Sequence, residues 1–387
     1  MIASSIPAFE DEHSTLLFSA EQLAQFGAQW TAKEISQQPK MWRQVSDEHR
    51  NKTGLSTWLC TILAKPQLRI ILTGAGTSAY IGDALAAHLQ QHLPLVTQRV
   101  EAISTTDLVS HPSLYLNPKI PTLLISYGRS GNSPESMAAV ALAEQLVDDC
   151  YHLAITCNGQ GQLAQYCSDR PHCYLYKLPD ETHDVSFAMT SSFTCMYLAT
   201  LFIFSPNPEA LNQVCLMAET ILSVHLTEIR AQAELPCQRI VFLGGGPLKA
   251  IAQEAALKFL ELTAGQIVSA FESPLGFRHG PKSLVDFNTQ VLVMVSSGAY
   301  SRQYDMDLIK ELKRDNQALS ILTLSESQLL NTTALEEVWL GLPFILWCQI
   351  LAIYKAIQLG VSPDNPCPTG QVNRVVQGVN LYPFNQG

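Results

Sequence analysis

One stretch of this chain is written twice. Arg69-Ile70-Ile71 leads into Gly74 and Gly76, and Arg239-Ile240-Val241 leads into Gly244 and Gly246, at a constant offset of 170 residues. In each copy a short apolar run ends in glycine and opens a segment of helical spacing. Further along, the strand-like run PTLLISYG is answered by TQVLVMVSSGAYS, and LAITCN by SILTLS. YLYKL is a fourth expected strand of the first copy. TSAYIGDALAAHLQQHL and SPESMAAVALAEQLVDD between them have helical spacing. Buried-type strands alternating with amphipathic helices form a parallel sheet covered on both faces. The expected fold is therefore α/β, with two doubly wound parallel-sheet domains related by internal duplication and an N-terminal helical segment. The expected divisions are a helical segment at 1–50, a first domain at 51–208, a second at 209–365 and a tail at 366–387, with the SPNPE stretch as the junction.

In the first segment, Ser19 is placed to cap a helix and Pro39 to stop one. Only Lys33, Lys40 and Arg43 are basic before Arg50, which argues against a DNA-reading helix there. The whole chain has 24 Lys+Arg against 34 Asp+Glu, a formal net charge of -10, so non-specific nucleic-acid binding is not expected. A small phosphorylated ligand is compatible with that charge, because backbone N–H groups at a helix N-terminus hold phosphate without a net positive protein. GAGTSA and GGGPLK match the dinucleotide fingerprint G-x-G-x-x-G only in part, and no redox cofactor is expected. The ten cysteines form no C-x-x-C pair and read as free, mostly buried thiols in a reducing compartment. MIASSIPAFEDEHST lacks a basic region followed by an apolar one, so no signal peptide is expected. Val338 to Ile357 is apolar but interrupted by Gly341, Pro343, Gln349 and Lys355, and reads as a buried core helix rather than a membrane span. A cytoplasmic protein follows from these readings.

The strongest local signal is Ser126-Tyr127-Gly128-Arg129-Ser130-Gly131-Asn132-Ser133, after an apolar strand and before the helix that opens at SPES. Gly128 and Gly131 allow a tight turn. Ser130 and Ser133 supply hydroxyls, Ser133 is also an N-cap, and Pro134 suits the first helical turn. The helix start turns its free N–H groups and positive dipole end toward a ligand. The same pattern also describes an ordinary capped strand-to-helix turn. Gly76, Thr77 and Ser78 stand in the equivalent loop of the preceding strand.

Taken together, GAGTSAY, SYGRSGNSPES, SFAMTSSFT, QEAALKFLEL, ESPLGFRHGPKS and NRVVQGVNLYP resemble the SIS (sugar isomerase) family over nearly the whole chain. They are similar to the isomerase half of glucosamine-6-phosphate synthase. They are more similar to the AgaS-type galactosamine-6-phosphate deaminase/isomerases, also described as tagatose-6-phosphate ketose/aldose isomerases. No glutaminase domain precedes the first unit, which favours deamination or isomerisation over amino-sugar synthesis.

Glu254, Lys258 and Glu261 fall on one helical face, a spacing that equally suits an ordinary ion-paired helix. The resemblance gives them roles. Glu261 matches the base that moves a proton between C2 and C1, Lys258 a lysine beside the open-chain sugar, and Glu254 a supporting acid. His279, in Phe277-Arg278-His279-Gly280-Pro281, matches a ring-opening histidine supplied across a subunit interface, so at least a homodimer with a shared site is implied. The resemblance also implies Arg129, Gly131, Asn132, Thr190 and Arg374 as substrate-binding residues, Arg374 lying in the tail where the synthase has a lysine. Two further positions depart from the synthase: Ala75 replaces a cysteine and Ser191 a lysine. His88 and His92 have a spacing that can hold a metal, but no ligand stands beside them in sequence, and no metal site is expected. The resemblance thus implies an enzyme converting an amino-sugar 6-phosphate, galactosamine 6-phosphate first, to a ketose 6-phosphate and ammonia. A plain sugar-phosphate isomerase and a non-catalytic sugar-phosphate sensor are the alternatives.

Overall fold

The computed structural model describes residues 14–330, 335–376 and 378–385. The stretch read for a signal peptide lies almost wholly outside them. The first sheet contains β1 (Arg69–Thr73), β2 (Arg99–Ala102), β3 (Thr122–Gly128), β4 (Cys150–Thr156) and β5 (Cys173–Lys177). Its spatial order is β2-β1-β3-β4-β5 and every pairing is parallel, with Thr73 opposite Ser126. The second contains β6 (Arg239–Gly244), β7 (Val268–Glu272), β8 (Thr289–Met294) and β9 (Ser320–Leu324), in the order β9-β8-β6-β7, again all parallel. The second sheet repeats the first without its last strand.

In both halves the strand order reverses at the first strand. Open α/β sheets bind ligands in the crevice beyond the strand ends at such a point. The duplication extends to backbone angles. Gly76 has φ 55° and ψ -128° at the start of the Thr77–Gln91 helix, and Gly246 has φ 54° and ψ -130° at the start of the Pro247–Leu262 helix. A side chain at Gly74 would lie 2.6 Å from the Ser78 backbone, and one at Gly244 would lie 2.4 Å from the Leu248 carbonyl. These glycines let each helix start close against its strand.

The two edge strands β2 and β7 escape a sequence reading because RVEA and VSAFE are short and half-exposed, with no sustained alternation. Ser19 does cap a helix, in a capping box with Gln22. Pro39, expected to stop a helix, instead lies in the first turn of the Gln38–Arg50 helix, where its missing N–H leaves no bond unmade.

The halves share a core. The Thr77–Gln91 and Pro247–Leu262 helices pack on each other, and the Ser191–Phe204 helix donates the Tyr197 hydroxyl to the Val338 carbonyl at 2.6 Å. The Glu337–Gln358 helix is long and apolar enough to cross a membrane, but 94% of its apolar window lies inside the protein. Two of its polar residues find partners: Lys355 Nζ donates to the Ala233 and Leu235 carbonyls at 3.0 and 2.7 Å, and Gln349 Oε1 accepts from Gln38 at 2.7 Å. It is a core helix of the two-domain body. The ten cysteines are free, seven of them buried.

Candidate active site

The ends of β1 and β3 and the tail of the chain enclose a cleft of about 120 Å³. Ala75 and Ser78 line it from the first loop, Gly128 to Gly131 and Ser133 from the second, with Met189, Arg374, Val375 and Val376 closing it. Gly131 sits at φ 63°, in the left-handed region, and a Cβ there would meet Leu163 at 3.3 Å. The loop is braced from β4: Thr156 Oγ1 donates to the Gly128 carbonyl at 2.6 Å, and Asn158 Nδ2 to the Ser130 carbonyl at 2.9 Å. Ser133 caps the Pro134–Leu146 helix by accepting from Ser136 N. The result is a fixed backbone turn at a helix N-terminus, the geometry of an anion cradle.

Two arginines stand at the rim, but their guanidinium groups are engaged elsewhere. Arg129 donates to the carbonyls of Ser186, Phe187 and Arg374 at 3.2, 3.0 and 2.7 Å. Arg374 donates to the carbonyls of Ser186, at 3.1 Å, and Asp184. Burial, and then the Arg374 charge, lower Arg129 to about 10, so it stays charged at neutral pH. The pair places two positive charges at the rim of the cleft and ties the tail to the 184–187 loop. Two other residues expected at the substrate also make hydrogen bonds within the chain. Asn132 Oδ1 accepts from Gln162 N at 2.9 Å, starting the next helix. Thr190 is fully buried, its N–H donating to Asp184 at 2.8 Å, and the neighbouring Met189 takes the place at the cleft wall expected of it.

The 184–187 loop depends on two acids. Glu34 accepts from Val185 N, from Ser186 N at 3.2 Å and from the Ser186 hydroxyl. Burial and the Asp184 charge raise its carboxyl to about 7. Asp184, fully buried, accepts from Thr190 N and Ser192 N at 2.8 and 2.9 Å, capping the Ser191–Phe204 helix from a distance. Ser191, at the position where the synthase has a lysine, is buried and donates to the Glu34 carbonyl at 2.6 Å. Glu34 gave no signal in the sequence, because its helix had no other chemical pattern. Asp184 had one: an acid shortly before a helix that opens on serines.

Glu254, Lys258 and Glu261 project from one face of the Pro247–Leu262 helix, as their spacing predicted. Lys258 Nζ bonds Glu261 and lies 3.6 Å from Glu254. Glu254 and Lys258 are sealed at 0% and 1% side-chain exposure, whereas Glu261 keeps 23%. Burial raises the Glu254 carboxyl to about 8; Lys258 opposes the shift and the Glu261 charge adds to it. Burial depresses Lys258, but the Glu254 and Glu261 charges outweigh it and hold the ammonium above its usual value. The triad borders the cradle, since Arg129 lies within electrostatic reach of both Glu261 and Lys258. Of the three, Glu261 is the one a ligand can touch.

His279 is not brought into this group. It is exposed in a turn after the Pro274–Phe277 helix and makes no side-chain hydrogen bond or ion pair among the described residues. The His88–His92 pair has a carboxylate that sequence spacing did not reveal: Glu336, from the other half, lies 3.3 Å from His88 Nδ1. The other His88 nitrogen bonds Ser205 at 2.9 Å, and His92 bonds the His88 carbonyl at 2.9 Å.

The equivalent cleft of the second half is larger, about 350 Å³, but its amides are already taken. Ser296 N donates to Asp305 at 2.8 Å and Gly298 N to Glu337 at 3.1 Å. Carboxylates where a phosphate would bind repel it, so the first-half cleft is the phosphate candidate.

Two duplicated parallel sheets, a glycine-serine anion cradle and a Glu-Lys-Glu helix face define a two-domain α/β protein of the sugar-phosphate-isomerase class. The chain belongs to the SIS-domain family, whose model matches residues 62–206 and 235–338. It is 79% identical to the D-galactosamine-6-phosphate deaminase AgaS of Shewanella sp. (strain ANA-3), over 99% of this chain and 100% of that one. It is 44% identical to the D-galactosamine-6-phosphate deaminase AgaS of Escherichia coli, over 92% and 96%. The solved tagatose-6-phosphate ketose/aldose isomerase from Escherichia coli superposes with a TM-score of 0.85 at 42% identity, covering 92% of this chain and 97% of that one.

Proposed function

We propose that this chain is a galactosamine-6-phosphate deaminase/isomerase that releases ammonia and tagatose 6-phosphate. The observation that carries the reading is one partly exposed carboxylate, Glu261, beside a buried ammonium and bordering an anion cradle. The 6-phosphate binds the N–H groups and hydroxyls of the Ser130–Ser133 turn. After ring opening, Glu261 takes the proton from C2 and returns it to C1. The enolamine so formed becomes a ketimine at C2, with C1 reduced to an alcohol. Water adds to the ketimine carbon, the C–N bond breaks, and ammonia leaves a ketone at C2. Proton movement alone shifts the oxidation level between C1 and C2. Lys258 stabilises the negative charge that develops on the enolic oxygen.

Ring opening needs an acid–base group at O1 and O5, and His279 of a second copy is our candidate. Its exposure and its lack of side-chain partners among the described residues support a homodimer, or higher homo-oligomer, with a shared site. A sugar phosphate does not cross a bilayer unaided, which supports a cytoplasmic enzyme.

The name of the Escherichia coli structure keeps a second reading in view, a plain ketose/aldose isomerase. Ammonia release from galactosamine 6-phosphate, beside glucosamine 6-phosphate and N-acetylgalactosamine 6-phosphate, separates them. Ammonia from the galacto amino sugar is expected. Sugar interconversion without ammonia would replace the deaminase by the plain isomerase.

A further inference from the structure

Away from the cradle, at the β4–β5 side of the first sheet, four side chains of metal-ligand type converge. Cys150 and His152 are two apart on β4 and so face the same side of the strand. Glu144 reaches them from the Pro134–Leu146 helix, and His172 from the turn before β5. One donor atom each from Glu144, Cys150 and His152 falls within 4.8 Å of the others. His152 Nε2 lies 2.7 Å from Glu144 Oε1 and 3.5 Å from Cys150 Sγ, and His172 Nε2 lies 3.1 Å from the same Glu144 oxygen.

We propose that Glu144, Cys150, His152 and His172 form a site for a tetrahedrally coordinated transition metal of the zinc type, separate from the reaction centre. Zinc bonds of about 2.0–2.3 Å to N, O and S put neighbouring donors roughly 3.3–3.8 Å apart in a tetrahedron. The separations of 2.7 and 3.5 Å among Glu144, His152 and Cys150 lie within about 0.6 Å of that spacing, whereas His172, 3.1 Å from Glu144 but outside the 4.8 Å group, must swing inward to become the fourth ligand. One thiolate, two imidazoles and one carboxylate are borderline-soft ligands that suit Zn(II) or Co(II) better than Mg(II) or Ca(II).

His152 is 2% exposed, its Nδ1 has no partner, and its Nε2 lies 2.7 Å from Glu144, so in the metal-free chain Nε2 carries the proton toward the carboxylate and an ion would have to displace it. The strand pairing gives the site a rigid base, with His152 N donating to the His172 carbonyl at 3.0 Å. A bound ion joins the helix, β4 and the turn before β5, and its role is structural.

The test uses the purified full-length chain, stripped with a chelator and titrated with Co(II), then with Zn(II) against a chromophoric competitor. One Co(II) per chain is expected, with a thiolate-to-cobalt charge-transfer band and the intense visible bands of a tetrahedral site. Cys150→Ser should abolish the charge-transfer band. His172→Gln, at a part-exposed position where folding is not at risk, should weaken Zn(II) binding by more than about a hundredfold, the upper range for loss of a mere outer partner. Zn(II) should raise the melting temperature of the wild type and leave that of Cys150→Ser unchanged. Stoichiometry below one, octahedral-type spectra without a charge-transfer band, or equal affinity in both variants would overturn the proposal. It would then leave a carboxylate–imidazole hydrogen-bond cluster with no metal.

Discussion

Replacing Glu254 by glutamine separates two accounts of the buried triad. If the acid and Lys258 formed a true ion pair, breaking it would strip the buried ammonium of one of its two carboxylates and cost on the order of 3 kcal/mol. The structure leads elsewhere. Glu254 has no exposure, Thr77 and Lys258 only partly offset its burial, and its carboxyl is raised from 4.5 to about 8. At pH 7 the neutral form is therefore favoured at this position. A neutral acid and an amide have nearly the same shape. The folded chain holds a proton that the unfolded chain gives up above about pH 4.5, so the stabilisation attached to that proton is complete below 4.5 and is lost as pH rises toward 8. At about 1.4 kcal/mol per pH unit, the wild type loses up to about 3 kcal/mol relative to the glutamine variant by pH 7. Glu254→Gln should thus be neutral to stabilising at pH 7, with the gap widening from pH 5 to 8. Lys258→Met, by contrast, strips Glu261 of its partner and should lower the melting point by on the order of 10 °C, from about 3–5 kcal/mol at 2–4 °C per kcal/mol. Thermal melts of the three proteins across that pH range decide it. A loss of 3 kcal/mol or more for Glu254→Gln at pH 7 would refute the reasoning.

Three further outcomes follow from the same geometry. Gly131→Ala should cost about 1–2 kcal/mol, because an L-residue is strained at φ 63°, and should weaken inorganic phosphate binding measured by calorimetry. Asp184→Asn removes the charge that caps the Ser191–Phe204 helix and faces Arg374, so the tail should loosen and protease nicking near residue 374 should speed up. His279→Ala and Glu261→Gln chains, each inactive alone, should recover about a quarter of wild-type activity when refolded together one to one, if subunits pair at random and each site takes its histidine from the partner. No recovery would place His279 outside a shared site.

Much of this was legible in the chain. The 170-residue echo gave both sheets and their first helices, because a glycine forced at a strand end is visible as a letter. The Glu254–Lys258–Glu261 face followed from helical spacing alone. What stayed hidden was mostly long-range. Asn132, Thr190 and Arg129 look like ligand contacts in sequence. Their partners, Gln162 N, Asp184 and the Ser186 carbonyl, sit 30, 6 and 57 residues away. Glu34 reaches the 184–187 loop across more than 150 residues, and no local pattern encodes that. The Glu144–Cys150–His152–His172 cluster was invisible for the same reason: its ligands come from a helix, a strand and a turn.

The central claim is that Glu261 carries the C2-to-C1 proton transfer. It is tested most directly by Glu261→Gln, assayed for ammonia release from galactosamine 6-phosphate and, in parallel, for substrate binding by calorimetry. The account predicts turnover lowered by at least about a hundredfold with binding within a few-fold of wild type. Turnover close to wild type would contradict it.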